Sequence, residues 1–228
     1  MNNAFEPRCR RCARLAAFLD WVRGDHPDYF CKPVPPFGDP RAKVLIVGLA
    51  PGMHGANRTG RPFTGDHAGL LLYSTLFKFG MASAPLSTTL GDGLELLSTR
   101  ITNAVKCLPP ANKPLPAEIK TCNQYLRAEL AASRTVRVVL ALGTIAHEAV
   151  LRASDLPIKP YKFAHGAEHP LGGGRVLLDS YHCSRYNTST RRLTTAMFET
   201  VVGRARAIAA GAGIDHTAAR GQATAPVP

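Results

Sequence analysis

Short apolar runs alternate with stretches of helical periodicity along the chain, and the alternation predicts its elements. Residues 8–23 place Leu15, Ala16, Leu19 and Val22 at helical spacing, and Gly24 stops the run. Residues 25–40, rich in proline and aromatics, read as an ordered loop. Lys43-Val-Leu-Ile-Val-Gly48 is a brief apolar run closed by glycine, as expected of a strand covered on both faces. A Gly/Pro-bearing loop spans 48–65. A helix then covers 66–79, with Leu70, Leu71, Tyr73, Leu76 and Phe77 at its apolar positions. Arg100-Ile-Thr-Asn-Ala-Val-Lys106 predicts a second strand. Four prolines keep 108–116 as loop, and a helix covers 117–132. Val136-Arg-Val-Val-Leu-Ala-Leu142 predicts a third strand, followed by a helix over 143–152. Arg175-Val-Leu-Leu-Asp-Ser-Tyr181 predicts a fourth strand, and a last long helix covers 190–210.

Apolar strands alternating with helices predict a parallel sheet with both faces covered. The expected fold is a three-layer α/β/α sandwich around a mainly parallel four-stranded sheet. One domain covers 1–210, and the Gly/Ala/Thr/Pro-rich stretch 211–228 reads as a disordered tail. Sites in such sheets lie beyond the carboxyl ends of the strands. Three polar segments fall at those ends: after Gly48, after Ile101 and after Tyr181.

Charge narrows the class. Lys+Arg is 28 against Asp+Glu 16, a net charge of +12 in 228 residues. Such a surplus favours a polyanionic partner, because bound phosphates release their counterions. No stretch has the roughly 20 apolar residues of a membrane span, and the polar N-terminus has no apolar signal core. The expected location is the cytoplasm, where six cysteines suggest metal binding or catalysis rather than disulfides.

Cys9-x2-Cys12 brings two sulfurs within reach of one metal. Cys107 ends a strand and Cys122 lies on the next helix, so the four make a thiolate set for zinc or a [4Fe–4S] cluster. Cys31 or Cys183 could replace one of them, and spacing does not separate the two metals.

Two loops carry the other chemistry. Gly48-Leu-Ala-Pro-Gly-Met-His-Gly-Ala-Asn-Arg-Thr-Gly-Arg-Pro-Phe-Thr-Gly-Asp66 holds five glycines before its final Asp, allowing close backbone approach to a ligand. Arg58, Thr59, Arg61 and Thr64 offer phosphate contacts, and Phe63 offers a stacking surface for a base. No Gly-Lys-Ser/Thr ends the loop, so it is not a Walker A motif. The second segment, Ser180-Tyr-His-Cys-Ser-Arg-Tyr-Asn-Thr-Ser-Thr-Arg-Arg-Leu-Thr194, puts His182 at a strand end among donors such as Ser184 and Arg185, a composition suited to a phosphate backbone.

Together these segments resemble the uracil-DNA glycosylase superfamily, specifically its iron–sulfur type 5 members. The likeness runs from Cys9 to about Phe198. It rests on the 48–66 loop, on Thr102-Asn-Ala-Val-Lys-Cys-Leu-Pro-Pro-Ala-Asn-Lys113, and on His182-Cys-Ser-Arg-Tyr-Asn-Thr with Arg192-Leu-Thr. Type 4 relatives carry an acidic residue in the Gly-x-Ala-Pro-Gly turn, where this chain has Leu49 and Ala50. Arg191 stands where many relatives have glycine.

The resemblance implies a [4Fe–4S] cluster on Cys9, Cys12, Cys107 and Cys122, with Cys31 and Cys183 outside ligation. It implies a monofunctional, monomeric enzyme that flips uracil, and other deaminated bases such as hypoxanthine, out of DNA and hydrolyses the N-glycosidic bond. Flipping is needed because the sugar carbon is unreachable in the stack. Asn103 would read the uracil edge and His182 would donate to the departing base anion, an interaction strongest in the transition state. Asp66 and Asn112 would place the water or balance the sugar cation. Substrate contacts fall on Gly48, Ala50, Gly52, His54, Asn57, Phe63, Ser184 and Arg185. The competing readings are a non-catalytic, zinc-containing nucleic-acid-binding module and an enzyme acting on a small phosphorylated ligand.

Overall fold

In a computed structural model, residues 5–212 are described; the predicted tail therefore lies almost wholly outside the described residues. The chain runs α1 (Ala13–Asp25), β1 (Phe37–Gly38), β2 (Val44–Gly48), α2 (Ala56–Thr59), α3 (His67–Lys78), β3 (Thr99–Asn103), α4 (Pro116–Ala132), β4 (Val138–Leu142), α5 (Thr144–Ala153), β5 (Glu168–Gly172), β6 (Arg175–Ser180), α6 (Arg185–Ser189) and α7 (Thr195–Ala209). One six-stranded sheet has the order β1-β3-β2-β4-β6-β5. Its four central strands are parallel, and an antiparallel strand closes each edge.

The four predicted strands are the parallel ones; the sheet exceeds the expected four because of its edges. β1 is only two residues long, and β5 contains Pro170. A proline removes a ladder donor and is tolerated at an edge, so neither edge carries the apolar signature of the centre.

Alternation along the central strands supplies two cores. Val44, Ile46, Leu140 and Leu178 face α3 and α7, meeting Leu72, Tyr73, Leu76, Phe198 and Val202. Leu45, Val47, Val139, Ala141 and Leu177 face α4 and α5, meeting Leu126, Leu130, Ala146 and Val150. The three-layer arrangement follows from this burial on both faces.

Two helix boundaries differ from the sequence expectation. α1 begins at Ala13 because Cys12 is its N-cap, with extended backbone, and the Cys9–Cys12 segment stays non-helical. The expected helix over 190–210 begins only at Thr195, and a separate short helix precedes it. α6 is a single short turn-and-a-half capped by Ser184, and α7 restarts under a Thr194 cap. Between them Arg191 takes φ 57°, a left-handed conformation that ends a helix and that glycine adopts more readily.

Strand order also fixes where a ligand can enter. β2 connects through α3 to β3 on one side, and the chain then crosses to β4 on the other. The crevice at the carboxyl ends of β2 and β4 is thus the switch point of the sheet. α3 starts beside it. Its Gly69 lies so near the turn at Phe63 that an added Cβ would sit 2.9 Å from the Phe63 carbonyl carbon and nearer still to its oxygen. Gly69→Ala should therefore destabilise the protein by about 1–3 kcal/mol through overpacking. Urea unfolding should show a lower midpoint with an unchanged slope.

Candidate active site and thiol cluster

Gly48 is the last residue of β2 and pairs in register with Asn103, the last residue of β3. Their exits are locked together: the amides of Ala104 and Val105 donate to the carbonyls of Gly48 and Leu49 at 2.9 and 3.0 Å. A Cβ on Gly48 would meet the Phe63 ring at 2.6 Å and the Asn103 carbonyl oxygen closer still, so both side chains close over bare backbone. Asn103 is 4 % exposed, and its Oδ1 is a buried acceptor with no donor among the described residues. Such a group normally has a partner, and a bound donor would supply one.

Phe63 stacks on His182, ring centroids 5.8 Å apart at 27°. Phe63 holds φ 54°, left-handed backbone that costs a non-glycine residue about 1–3 kcal/mol and clusters at functional sites. Tyr73 supports the turn by donating to the Pro62 carbonyl at 2.8 Å. His182 follows β6, with its Cβ above Gly143 at the end of β4. The Asn187 side-chain amide donates to the His182 carbonyl at 2.8 Å, so α6 sets its orientation. Burial pulls the His182 pKa down to about 4, which leaves a neutral imidazole at physiological pH.

Asp66 caps α3, with Oδ1 accepting from the Gly69 amide at 2.9 Å. The rest of its side chain packs on the backbone at Gly55, and its Oδ2 faces Gly52. Burial raises its pKa, against the pull of the α3 amides. Burial likewise pushes the Cys183 thiol up, and the Asp66 charge adds to that push, which places Asp66 beside the residue following His182. Gly48, Phe63, Asp66, Asn103 and His182 thus gather at the switch point.

Other sequence candidates lie elsewhere. Asn112 is exposed on the Pro110–Asn112 turn at φ 56°. His54 is exposed and accepts or donates to the Tyr29 hydroxyl at 2.9 Å. Asn57 is fully buried; its amide nitrogen reaches Cys31 Sγ at 3.5 Å while its Oδ1 has no partner. Ser184 caps α6, and Arg185 is exposed on it.

The expected phosphate contacts in the glycine loop need correction. Arg61 is 4 % exposed, paired with Asp92 at 2.6 Å and set 4.4 Å over the Phe37 ring. Thr64 is buried and bonded to Ser87 at 2.7 Å, and Thr59 donates to the Gly55 carbonyl at 3.1 Å. These groups fold the loop instead of facing a polyanion. Exposed cations flank His182 instead: Arg185 and Arg191 are exposed, and Arg192 lies over the Tyr181 ring at 4.7 Å.

Cys9, Cys12, Cys107 and Cys122 line one pocket between α1, α4 and the exit of β3, with Leu15, Val105 and Tyr125 as its apolar wall. Cys31 and Cys183 are not among its lining residues. Burial raises the pKa of the Cys107 and Cys122 thiols, and neighbouring cysteines push both further. Burial also raises Cys12, with Glu118 and Cys9 adding to it. Four thiolates so placed, one buried and three half-buried, repel one another unless a cationic centre joins them, so the donor set fits a metal group. The Lys106 amide donates to Cys122 Sγ at 3.3 Å. Arg14, on α1, donates to both Glu118 oxygens at 2.8 and 2.7 Å, fastening α1 to α4 beside the pocket.

Sequence reading gave Lys106 no role and gave Ala50 a substrate contact. Lys106 is 1 % exposed; its ammonium reaches Thr102 and lies 3.8 Å from Glu129. Ala50 packs on the cysteine cluster, which joins the glycine turn to the thiols. The one signal for Lys106 was position, three residues past the end of β3.

The family profile of the Uracil DNA glycosylase superfamily matches residues 35–206. The chain is 49% identical over 208 residues to the type-5 uracil-DNA glycosylase of Thermus thermophilus, covering 88% of this chain and 94% of that one. It is 43% identical over 218 residues to the type-5 enzyme of Mycobacterium bovis, covering 91% and 80%. It is 43% identical over 203 residues to that of Pyrobaculum aerophilum, covering 87% and 88%. A profile that spans all four central strands, and relatives matched along nearly their whole length, place the chain in the uracil-DNA glycosylase superfamily.

Proposed function

We propose that this protein is a DNA-repair glycosylase that removes uracil from DNA by hydrolysing its N-glycosidic bond and leaves an abasic site. The observation that carries the reading is the stacked Phe63–His182 pair closing over Gly48 beside the unpartnered Asn103 oxygen. An extrahelical uracil has a flat ring for Phe63 and an N–H for the Asn103 carbonyl, while its O4 can accept from the Asn103 amide. Cytosine presents the opposite pattern at that edge. Uracil is the base proposed; none of the five gathered groups selects a purine such as hypoxanthine.

As the bond breaks, negative charge grows on the base and positive charge on the sugar. Neutral His182 can donate one N–H to the base anion without carrying a charge that must be desolvated. Asp66 is placed to orient water or to face the sugar cation, and the low-dielectric surroundings strengthen either role. Arg185, Arg191 and Arg192 supply the flanking cations for the phosphate backbone. We read the protein as acting as a monomer.

We further propose that Cys9, Cys12, Cys107 and Cys122 hold a [4Fe–4S] cluster. When bound it supplies a structural cross-link between α1, α4 and the exit of β3; no step of the excision passes through it. A thiolate set of this kind suits a reducing compartment such as the cytoplasm. Among the described residues no helix is long and apolar enough to cross a membrane.

Three outcomes test these readings. Single-turnover excision from uracil-containing duplexes should fall about 10²–10³-fold in His182→Ala, the loss typical of one transition-state donor. Asn103→Ala should also lose excision, and unchanged rates in both would overturn the assignment. With pH, the rate should stay level as pH falls through about 6.5, the ordinary histidine value. It should drop only nearer pH 4, where His182 gains a proton; Asp66, raised above its ordinary value, adds to the same acid limb. A loss centred near pH 6.5 would instead report an ordinary histidine. Finally, anaerobically purified protein should contain iron and sulfide in equal amounts. Cys107→Ala should lose both and unfold more easily, while Cys31→Ala keeps them. Zinc in their place would revive the zinc-module reading.

A further inference from the structure

We propose that His147, His169 and Asp179 form a binding site for one divalent transition-metal ion of the zinc type, separate from both the pocket and the thiols. The three residues come from α5, β5 and β6. One ligand atom from each lies within 4.8 Å of the others, close enough for a single ion to touch all three. Two imidazoles and a carboxylate are a donor set that zinc takes up with water in the fourth place.

The hydrogen bonding favours an ion. His147 Nε2 lies 2.9 Å from the Tyr161 carbonyl oxygen and must donate its N–H there, because a carbonyl only accepts. In the neutral ring, Nδ1 is then a bare lone pair, and it faces Asp179 Oδ1 at 2.8 Å. Asp179 Oδ2 faces His169 Nε2 at 3.3 Å. The His147 lone pair directed at a carboxylate needs a positive centre between them, either a proton or a metal, while His169 Nε2 can donate an N–H or, as the other tautomer, ligate an ion. A metal-bound histidine commonly gives its second N–H to a backbone carbonyl, as His147 does.

Burial and access also fit. Asp179 is 0 % exposed and His147 1 %, so the carboxylate cannot rely on water. The Phe163 ring meets His147 edge-on at 5.8 Å, and the Tyr161 ring meets His169 at 5.7 Å. His169 is half-buried on the edge strand, which opens one side to an entering ion and its water. The ion would clamp α5 to the β5–β6 edge. Asp179 precedes His182 by three residues on the same strand and its exit, so the clamp holds the strand that aims His182.

The test compares metal uptake by the full chain and two variants, with iron measured in each sample. Equilibrium dialysis against zinc should give wild type one equivalent more than His169→Ala. His54→Ala, which alters the exposed histidine bonded to Tyr29, should bind as wild type does. Cobalt in place of zinc should show ligand-field bands without thiolate charge transfer, since no sulfur belongs to the set. Zinc should raise the thermal midpoint of wild type and not of His169→Ala, because an ion binding only the folded state stabilises it by mass action. Asp179→Asn is the sharper variant if it folds; His169→Ala, on the edge strand, carries the comparison if it does not. Equal uptake by wild type and His169→Ala overturns the proposal and leaves a protonated His147–Asp179 pair in its place.

Discussion

The pocket depends on an absence: Gly48 has no side chain. It ends a strand hydrogen-bonded on both sides, so its backbone cannot retreat, and a Cβ there would run into Phe63 and Asn103. The bare backbone lets the Phe63 ring come in from the 61–65 turn and lets the Asn103 amide lie across the strand end. His182 then stacks on Phe63 from the far side of β4. Each of these groups belongs to a different connection, and the parallel register of β2, β3, β4 and β6 brings their ends to one level. A strained Phe63 backbone persists because the surrounding turn over-determines it: Tyr73 holds the Pro62 carbonyl, and Arg61 is locked on Asp92 and Phe37.

Burial and charge divide the work within the site. The interior that makes His182 a neutral donor also raises the pKa of Asp66, so the same low dielectric that strengthens each interaction limits how much charge the pocket can carry. Positive charge is therefore kept at the rim, on Arg185, Arg191 and Arg192, where water solvates it and where a phosphate backbone would pass. Arg191 combines two demands: it adds rim charge and bends the chain between α6 and α7 in a conformation easier for glycine.

How much of this the sequence disclosed follows from what each signal measures. The central strands were visible because burial on both faces writes continuous apolar runs, and Asp66 was visible at a helix start because it caps one. β1 and β5 were invisible because edge strands need not be apolar, and two residues or a Pro170 carry no periodicity. Arg61 and Thr64 looked like phosphate ligands because a polar residue in a loop reads the same whether it faces solvent or folds inward; only Asp92 and Ser87, more than twenty residues away in sequence, decide the matter. The Asp179 cluster had no local pattern at all, since its members lie on three elements.

The thiols and the pocket are mechanically one structure. Asn103 and Cys107 are separated by three residues that leave β3, and the first two of these donate to the Gly48 and Leu49 carbonyls. Lys106, the third, gives its amide to Cys122 and buries its ammonium against Thr102 and Glu129. Ala50, two residues past Gly48, packs against the apolar cluster of Leu15, Val105, Cys122 and Tyr125 on which Cys9, Cys12 and Cys107 also pack. Any group that fixes the four sulfurs therefore fixes both backbones that form the floor of the pocket. A carboxylate at position 50 would be pressed against thiolates and an apolar wall, where like charge and desolvation both oppose it. An alanine there is what this packing favours, and it leaves charge near the reacting bond to Asp66, which approaches from the helix on the opposite side of the turn.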